Sequence, residues 1–418
     1  MRTITLFILC LELFLSSCVS ETKSKIELHP MAQIKSDADV SEYVANVLNG
    51  NMLSENTYNL FIPEDIFSQQ LDFNELIDGI RLIPLETNEQ CLIGEINKIL
   101  AMENGYIIFD KRNKNIFQFN KKGKFLKRIG NIGNGPHEYT DPYDVSLDTL
   151  NKQIIIVDLT ARKLVKFDYD GDFVKTTPMY FLFQHLEKYN NHVIYNLGGS
   201  YNTRNPSLDQ HKLAITEENF DSIYRFMPYE RNIKNSYSVE RPLRKFGDDV
   251  FYYNYFTDTI WKINNVGLEA FCNINFQGNG WGLKINEVKD DQDMRSLFDK
   301  SWYFNGDFVI SNKYIFIEVF KKDQASSIYY SVQSGKMLCG SGVKNAPNRL
   351  ISIIFRSPHT INDENDFVSY FEPFKIVRHK EFIENDPQKD QYRELYSLLD
   401  SIDESDNPIL IVYSLHTF

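Results

Sequence analysis

Basic residues are the scarce charge class in this sequence of 418 residues: 45 Lys+Arg stand against 57 Asp+Glu, a formal net charge of -12. A nucleic-acid partner requires a basic surface that displaces counterions, so none is expected. Cysteine is scarce too, with five in all. Beyond the N-terminal segment only Cys91, Cys272 and Cys339 remain. That number is odd and the spacings are wide, so neither a disulfide framework nor a metal quartet is expected. The eight histidines are scattered and form no H-E-x-x-H or H-x-H pair. No metal or other cofactor is therefore expected.

Aromatic residues, by contrast, are abundant at 14%, including 31 Phe and 24 Tyr, which favours β structure. An internal repeat is the strongest signal. Tyr106 to Lys127 aligns without gaps on Ile154 to Lys175, an offset of 48 positions. Ile107, Ile108, Asp110, Phe119, Gly123, Phe125 and Lys127 recur as Ile155, Ile156, Asp158, Phe167, Gly171, Phe173 and Lys175. Each unit opens on an apolar run, as in a strand covered on both faces. A second strand then leads into a turn closed by glycine, Asn120 to Gly123 or Asp168 to Gly171, where positive φ is needed. Ile96 to Leu100 and Tyr143 to Leu147 supply the first strands. Four strands per unit with no helix define a propeller blade.

The phase continues through Asn219, Gly267 and Gly335. Tyr314 to Val319 reads as a further central strand. Leu350 to Phe355, Phe367 to Phe371 and Pro408 to Leu415 read as strands of an irregular last unit. Helices are expected at Ser41 to Leu48, within the insertion at Glu287 to Phe298, and at Asp386 to Leu399. The expected fold is an all-β, six-bladed β-propeller. Ile80 to Leu85 should close the ring against the C-terminal strand, removing exposed edges.

The N-terminus reads as a targeting segment. Arg2 precedes the apolar stretch Ile4 to Leu15, which is too short to span a bilayer. Leu15-Ser16-Ser17-Cys18 resembles a bacterial lipobox, in which small residues fit the peptidase pocket and the thiol carries the lipid. The expected organisation is a signal peptide over 1–17, a tether and extension over 18–78 lipidated at Cys18, and the propeller over 79–418. The membrane is then a partner through the lipid anchor.

The run Ile129-Gly130-Asn131-Ile132-Gly133-Asn134-Gly135-Pro136-His137-Glu138-Tyr139, followed by Asp141 to Val145, is distinctive. With Ile83 to Thr87 and Asn407 to Tyr413, it resembles the six-bladed β-propeller lipoproteins of Bacteroidota, which are similar to NHL-repeat proteins. The resemblance covers roughly residues 79 to 416. It implies the propeller fold and an outer-membrane location in the cell envelope. It implies no settled activity.

The glycine-rich run is not a dinucleotide fingerprint, because its order is G-x-x-G-x-G and no helix follows. Asp168-Tyr169-Asp170-Gly171-Asp172 looks like part of a calcium loop, but Met179 stands at position twelve, so it reads as a hairpin turn. Connections between blades share a face with the turns joining second to third strands. That face carries Arg112, Arg162, His137, Glu138 and Tyr139, and it is the candidate ligand-binding face. Trp281, between two glycines in a polar insertion, is the aromatic candidate. The functional expectation is a binding platform for a glycan, peptide or envelope protein. The alternative is a glycan-active lyase or hydrolase, which requires paired carboxylates or a His/Tyr/Arg cluster converging in one pocket.

Overall fold

Residues 105–110, the continuous apolar run with its flanks, are all buried. In the computed structural model this is the second strand of the first blade, and its two faces meet different neighbours. Tyr106 and Ile108 pack with Val368, Leu410 and Val412 of the sixth blade. Ile107 and Phe109 pack with Val145, Ile154 and Ile156 of the second. Alternate residues of a strand point to opposite faces, so a blade held between two others must be apolar on both. The described residues are 47–53, 57–200, 202, 205–218, 222–232, 237, 239–264, 267–282, 284–379, 385 and 393–418.

Six radial sheets follow in chain order. The first blade is Lys98–Met102, Gly105–Asp110, Asn115–Asn120 and Phe125–Arg128. The second is Pro142–Asp148, Gln153–Asp158, Lys163–Asp168 and Phe173–Pro178. The third runs from His185–Tyr189 through His192–Asn196 and His211–Glu217 to Ile223–Pro228. The fourth is Leu243–Phe246, Asp249–Tyr253, Thr259–Asn264 and Gly267–Asn275. The fifth is Trp302–Ile310, Tyr314–Lys321, Gln324–Ser331 and Met337–Gly340. The sixth combines Thr360–Ile361, Phe367–Phe371 and Ile409–Leu415 with the N-terminal strand Ile77–Pro84. Ile411 pairs with Leu82 in that closing ladder, as the sequence predicts for its termini. Buried Asn407 secures the junction. Its amide donates to the carbonyls of Glu86 and Cys91 at 2.7 and 2.8 Å, and its oxygen accepts from Ile93 N at 2.8 Å.

The segment before the ring is bound along its rim. Val47–Asn49 pairs in parallel with Ile223–Arg225, the outer strand of the third blade. Asn51–Leu53 and Tyr58–Phe61 add to Gly267–Asn275 of the fourth. Leu71–Asp72 pairs with Val343–Lys344 just past the fifth. These additions cover outer edges that would otherwise present unpaired backbone groups. Leu48 is thus extended, contrary to the expected helix; residues 41–46 lie outside the described residues, as do Cys18, the whole of 1–17 and Asn219.

One strand expectation is overturned. Leu350 to Phe355 falls on a helix, Arg349–Ile354, whose start is capped by Asn348 Oδ1 accepting from Ile351 N at 2.9 Å. Leu350, Ile351 and Ile354 are buried on one helical face. A short apolar run carries no period long enough to separate the two forms. The insertion helix is Asp291–Lys300, capped by Asp290 and preceded by a short 3-10 turn at Lys284–Glu287. The C-terminal helix is described over Arg393–Asp400. No described helix is long and apolar enough to cross a membrane. Cys91, Cys272 and Cys339 are free thiols.

Candidate binding site at the propeller axis

The first strand of each blade is innermost, so its entry end surrounds the axis on one face. Two ionic clusters occupy that position. On one side, Lys98 Nζ of the first blade reaches Asp144 Oδ1 of the second at 3.0 Å and Glu187 Oε1 of the third at 3.1 Å. Ser146 Oγ donates to the other Glu187 oxygen at 2.6 Å. His185 Nδ1 stands 3.4 Å from Asp144 Oδ2. Burial pushes the Asp144 carboxyl up, but Lys98 and His185 override it and hold it near about 2. Burial likewise opposes the Lys98 ammonium, and the two carboxylates more than compensate, leaving it raised.

Across the axis, Asp307 of the fifth blade accepts from Arg241 at 3.2 Å and from Arg244 of the fourth at 3.0 Å. Arg244 also donates to the Gly306 carbonyl at 3.0 Å. Arg241 approaches His359 Nδ1 at 3.1 Å. A guanidinium only donates, so Nδ1 is the acceptor and the imidazole proton sits on Nε2. Burial and then Arg241 drive the His359 pKa well down, which keeps the ring neutral. Tyr370 of the sixth blade lies against it, ring centroids 4.8 Å apart.

Exposed Glu240 acts electrostatically on both halves. It is within electrostatic reach of Lys111, Tyr143, Arg244, Tyr255 and Tyr370, residues drawn from the first, second, fourth and sixth blades. Lys111 Nζ caps the Tyr143 ring, 3.5 Å from its centroid. The rim therefore offers charges of both signs, aromatic faces and an accessible carboxylate, all from different blades.

The residues singled out in the sequence are placed differently. Tyr139 is buried, and its hydroxyl donates to Ile129 O at 3.0 Å. Glu138 Oε2 accepts from Gly135 N at 2.8 Å and so braces the glycine-rich loop. His137 stacks on Phe173 of the second blade's outer strand, centroids 3.9 Å apart. Arg112 is exposed and Arg162 half-buried. Among the described residues no hydrogen bond or ion pair joins either arginine to His137 or Glu138. The loops do share a face: Lys163 Nζ donates to Gly135 O at 3.2 Å, and Lys114 pairs with Asp141 at 3.0 Å. These contacts fall on the outer part of the face, with Lys111 the turn residue that reaches the axis. Trp281 is 0% exposed. Its Nε1 donates to Asp258 at 2.9 Å, and its ring packs on Phe256, Phe298 and Tyr303. It fills a small core beneath the insertion and presents no face to a ligand.

No local motif in the sequence marks Lys98, Asp144, Glu187, Glu240, Arg241, Asp307 or His359. One signal was present. Lys98 and Asp144 are 46 positions apart and Lys98 and Glu187 are 89, near one and two repeat lengths. Charged residues recurring at the first-strand phase point to the axis. A cavity of about 280 Å³ also lies at the opposite face between the sixth and first blades. It is bordered by the ion pairs Arg81–Glu364 and Lys121–Asp363, whose side chains are about half exposed and so hold little energy.

The class defined by these sheets is a six-bladed β-propeller with a polar axial mouth. The chain belongs to the family described as Domain of unknown function (DUF4934), whose model matches residues 58–414. No curated protein matches it. It is similar to a putative exported protein from Bacteroides fragilis, with a TM-score of 0.68 at 17% identity, covering 88% of this chain and 100% of that one. A DUF4221 family member from Bacteroides vulgatus has a TM-score of 0.46 at 9% identity, covering 82% and 99%.

Proposed function

We propose that the protein is an exported cell-envelope lipoprotein whose propeller binds a small polar ligand, a glycan or a peptide end, at the axial mouth. The observation that carries this reading is Glu240, an exposed carboxylate within reach of groups from four blades. Ion pairs beneath it fix the geometry of the rim before any ligand arrives, which lowers the ordering cost of binding. Mixed charge and tyrosine faces suit hydroxyl-rich or zwitterionic groups. The export and anchor part rests on Leu15 to Cys18 and on the likeness to an exported Bacteroides protein. Fatty-acid labelling should mark the wild type and fail on Cys18→Ala; equal labelling of both would remove the anchor from the proposal.

The convergence of Arg241, His359 and Tyr370 favours a second reading, a lyase acting on acidic glycans, with the Nε2–H of His359 as a donor to the substrate carboxylate. One experiment separates the two. Wild type, Glu240→Gln and Lys111→Met are screened on a glycan and peptide array, with polyuronates followed for unsaturated products. The binding reading expects ligands whose affinity falls about tenfold in either variant, each loss near 1.4 kcal/mol, with unchanged melting temperature. Undiminished binding by both variants overturns it, and product formation lost in His359→Ala establishes the lyase.

A further inference from the structure

The seam between the second and third blades holds a cavity of about 110 Å³ that is separate from the axial mouth. Its floor is apolar. Phe181, Phe183 and Tyr195 pack on one another with centroids 4.7 to 5.7 Å apart, and all three are buried. Such a floor is rigid and dry. Its rim is cationic: Lys166, Lys175 and Lys188 line it, with Glu218 as the carboxylate among the lining residues.

That carboxylate is already committed. Lys188 Nζ bonds Glu218 at 2.5 Å and stands 4.0 Å from Asp148. Lys166 and Lys175 face each other directly in the ladder between Lys163–Asp168 and Phe173–Pro178. Among the described residues neither has a hydrogen-bond or ion-pair partner. Like charges directly opposite each other destabilise a sheet. Burial lowers the Lys166 ammonium, and Lys175 lowers it further. Lys175 is exposed and Lys166 half-buried, so the cost to the empty fold falls on Lys166, while both line a pocket with an apolar base.

We propose that this seam is a binding site for a small organic anion, a single carboxylate on an aromatic or short aliphatic body. The carboxylate lies between Lys166 and Lys175, and the body rests on Phe181 and Phe183. Charge complementarity selects the head, since each ammonium offers donors that no group among the described residues takes up. The cavity, at about 110 Å³, restricts the size of the body. A bare inorganic anion would leave the aromatic floor wet, and a neutral body would leave the lysines unpaired.

The test uses the full chain and calorimetric titration with benzoate, benzyl alcohol and inorganic phosphate. Benzoate is expected to bind at least about tenfold more tightly than either comparator, and more weakly as salt rises. Lys166→Met is expected to lower benzoate affinity by about tenfold or more. The same substitution should raise the melting temperature of the unliganded protein, because it removes an unpaired half-buried charge. Benzoate binding no tighter than benzyl alcohol or phosphate would overturn the proposal. A lowered melting temperature in Lys166→Met with affinity retained would do so as well, since the lysine would then be structural.

Discussion

Lys98→Met should cost the protein about 3–5 kcal/mol at pH 7, the range for breaking a buried ion pair by removing one partner. Asp144 and Glu187 are 4% and 2% exposed, so the substitution strands two carboxylates beside each other. The pH dependence separates this cause from lost packing. In the wild type Asp144 is held near about 2, below its unfolded value of about 3.9. Its contribution is present above the unfolded value and is lost as pH falls through the folded one. Without Lys98, burial and the neighbouring Glu187 act on the carboxyl against His185 alone, so its folded pKa rises. The variant is then least penalised in acid and loses ground to the wild type as pH rises. Urea unfolding of both proteins from pH 4 to pH 8 should show a gap that widens with pH. Lys98→Met combined with Glu187→Gln should recover part of the loss, since Ser146 can still donate to the amide oxygen. A gap that does not vary with pH would assign the effect to packing instead.

The blade architecture was legible because a propeller writes its geometry into sequence phase. Ile107 and Ile155 occupy the same place in successive blades, and so do Gly123 and Gly171. Closure was legible because Ile80 to Leu85 is a strand with no partner nearby in sequence. Leu350 to Phe355 was misread because six apolar residues fit either period, and only Asn348, a capping residue, marked a helix start. The site was legible in part. Topology placed the inter-blade loops and the turns at Lys111 and Arg162 on one face. Topology does not say how far each side chain lies from the axis, so it cannot separate Arg112 from its neighbour Lys111. Trp281 was misjudged for a related reason. Flanking glycines and polar neighbours look like an exposed loop, whereas the helix at Asp291–Lys300 folds Met294 and Leu297 over the indole. Ion pairs assembled from three blades are set by the closure of the ring, which no local pattern encodes.

Closure itself has a measurable strength, and two equivalent glycines report it. Gly123 and Gly171 end the same hairpin turn in the first and second blades, with φ of 79° and 77°. An alanine at either pays the same left-handed backbone penalty, roughly 1–2 kcal/mol. Their surroundings differ. At Gly171 a Cβ would meet the Lys127 side chain at 2.8 Å, the far end of a flexible group that can move aside. At Gly123 it would stand 2.0 Å from the carbonyl oxygen of Pro84, on the strand that closes the ring. That oxygen is backbone and cannot yield without shifting Ile77–Pro84 against Ile409–Leu415. The Glu86 N–H donated to Gly123 O at 2.8 Å would be strained with it. Gly123→Ala should therefore cost about 4 kcal/mol or more, against about 1–2 kcal/mol for Gly171→Ala. Chemical denaturation of the two variants gives the comparison directly. Hydrogen exchange adds the location: amides of the closing ladder should lose protection in Gly123→Ala, while those of the second blade keep theirs. Equal costs for the two substitutions would show that the seam between the first and sixth blades gives way easily, and that the ring is held shut elsewhere.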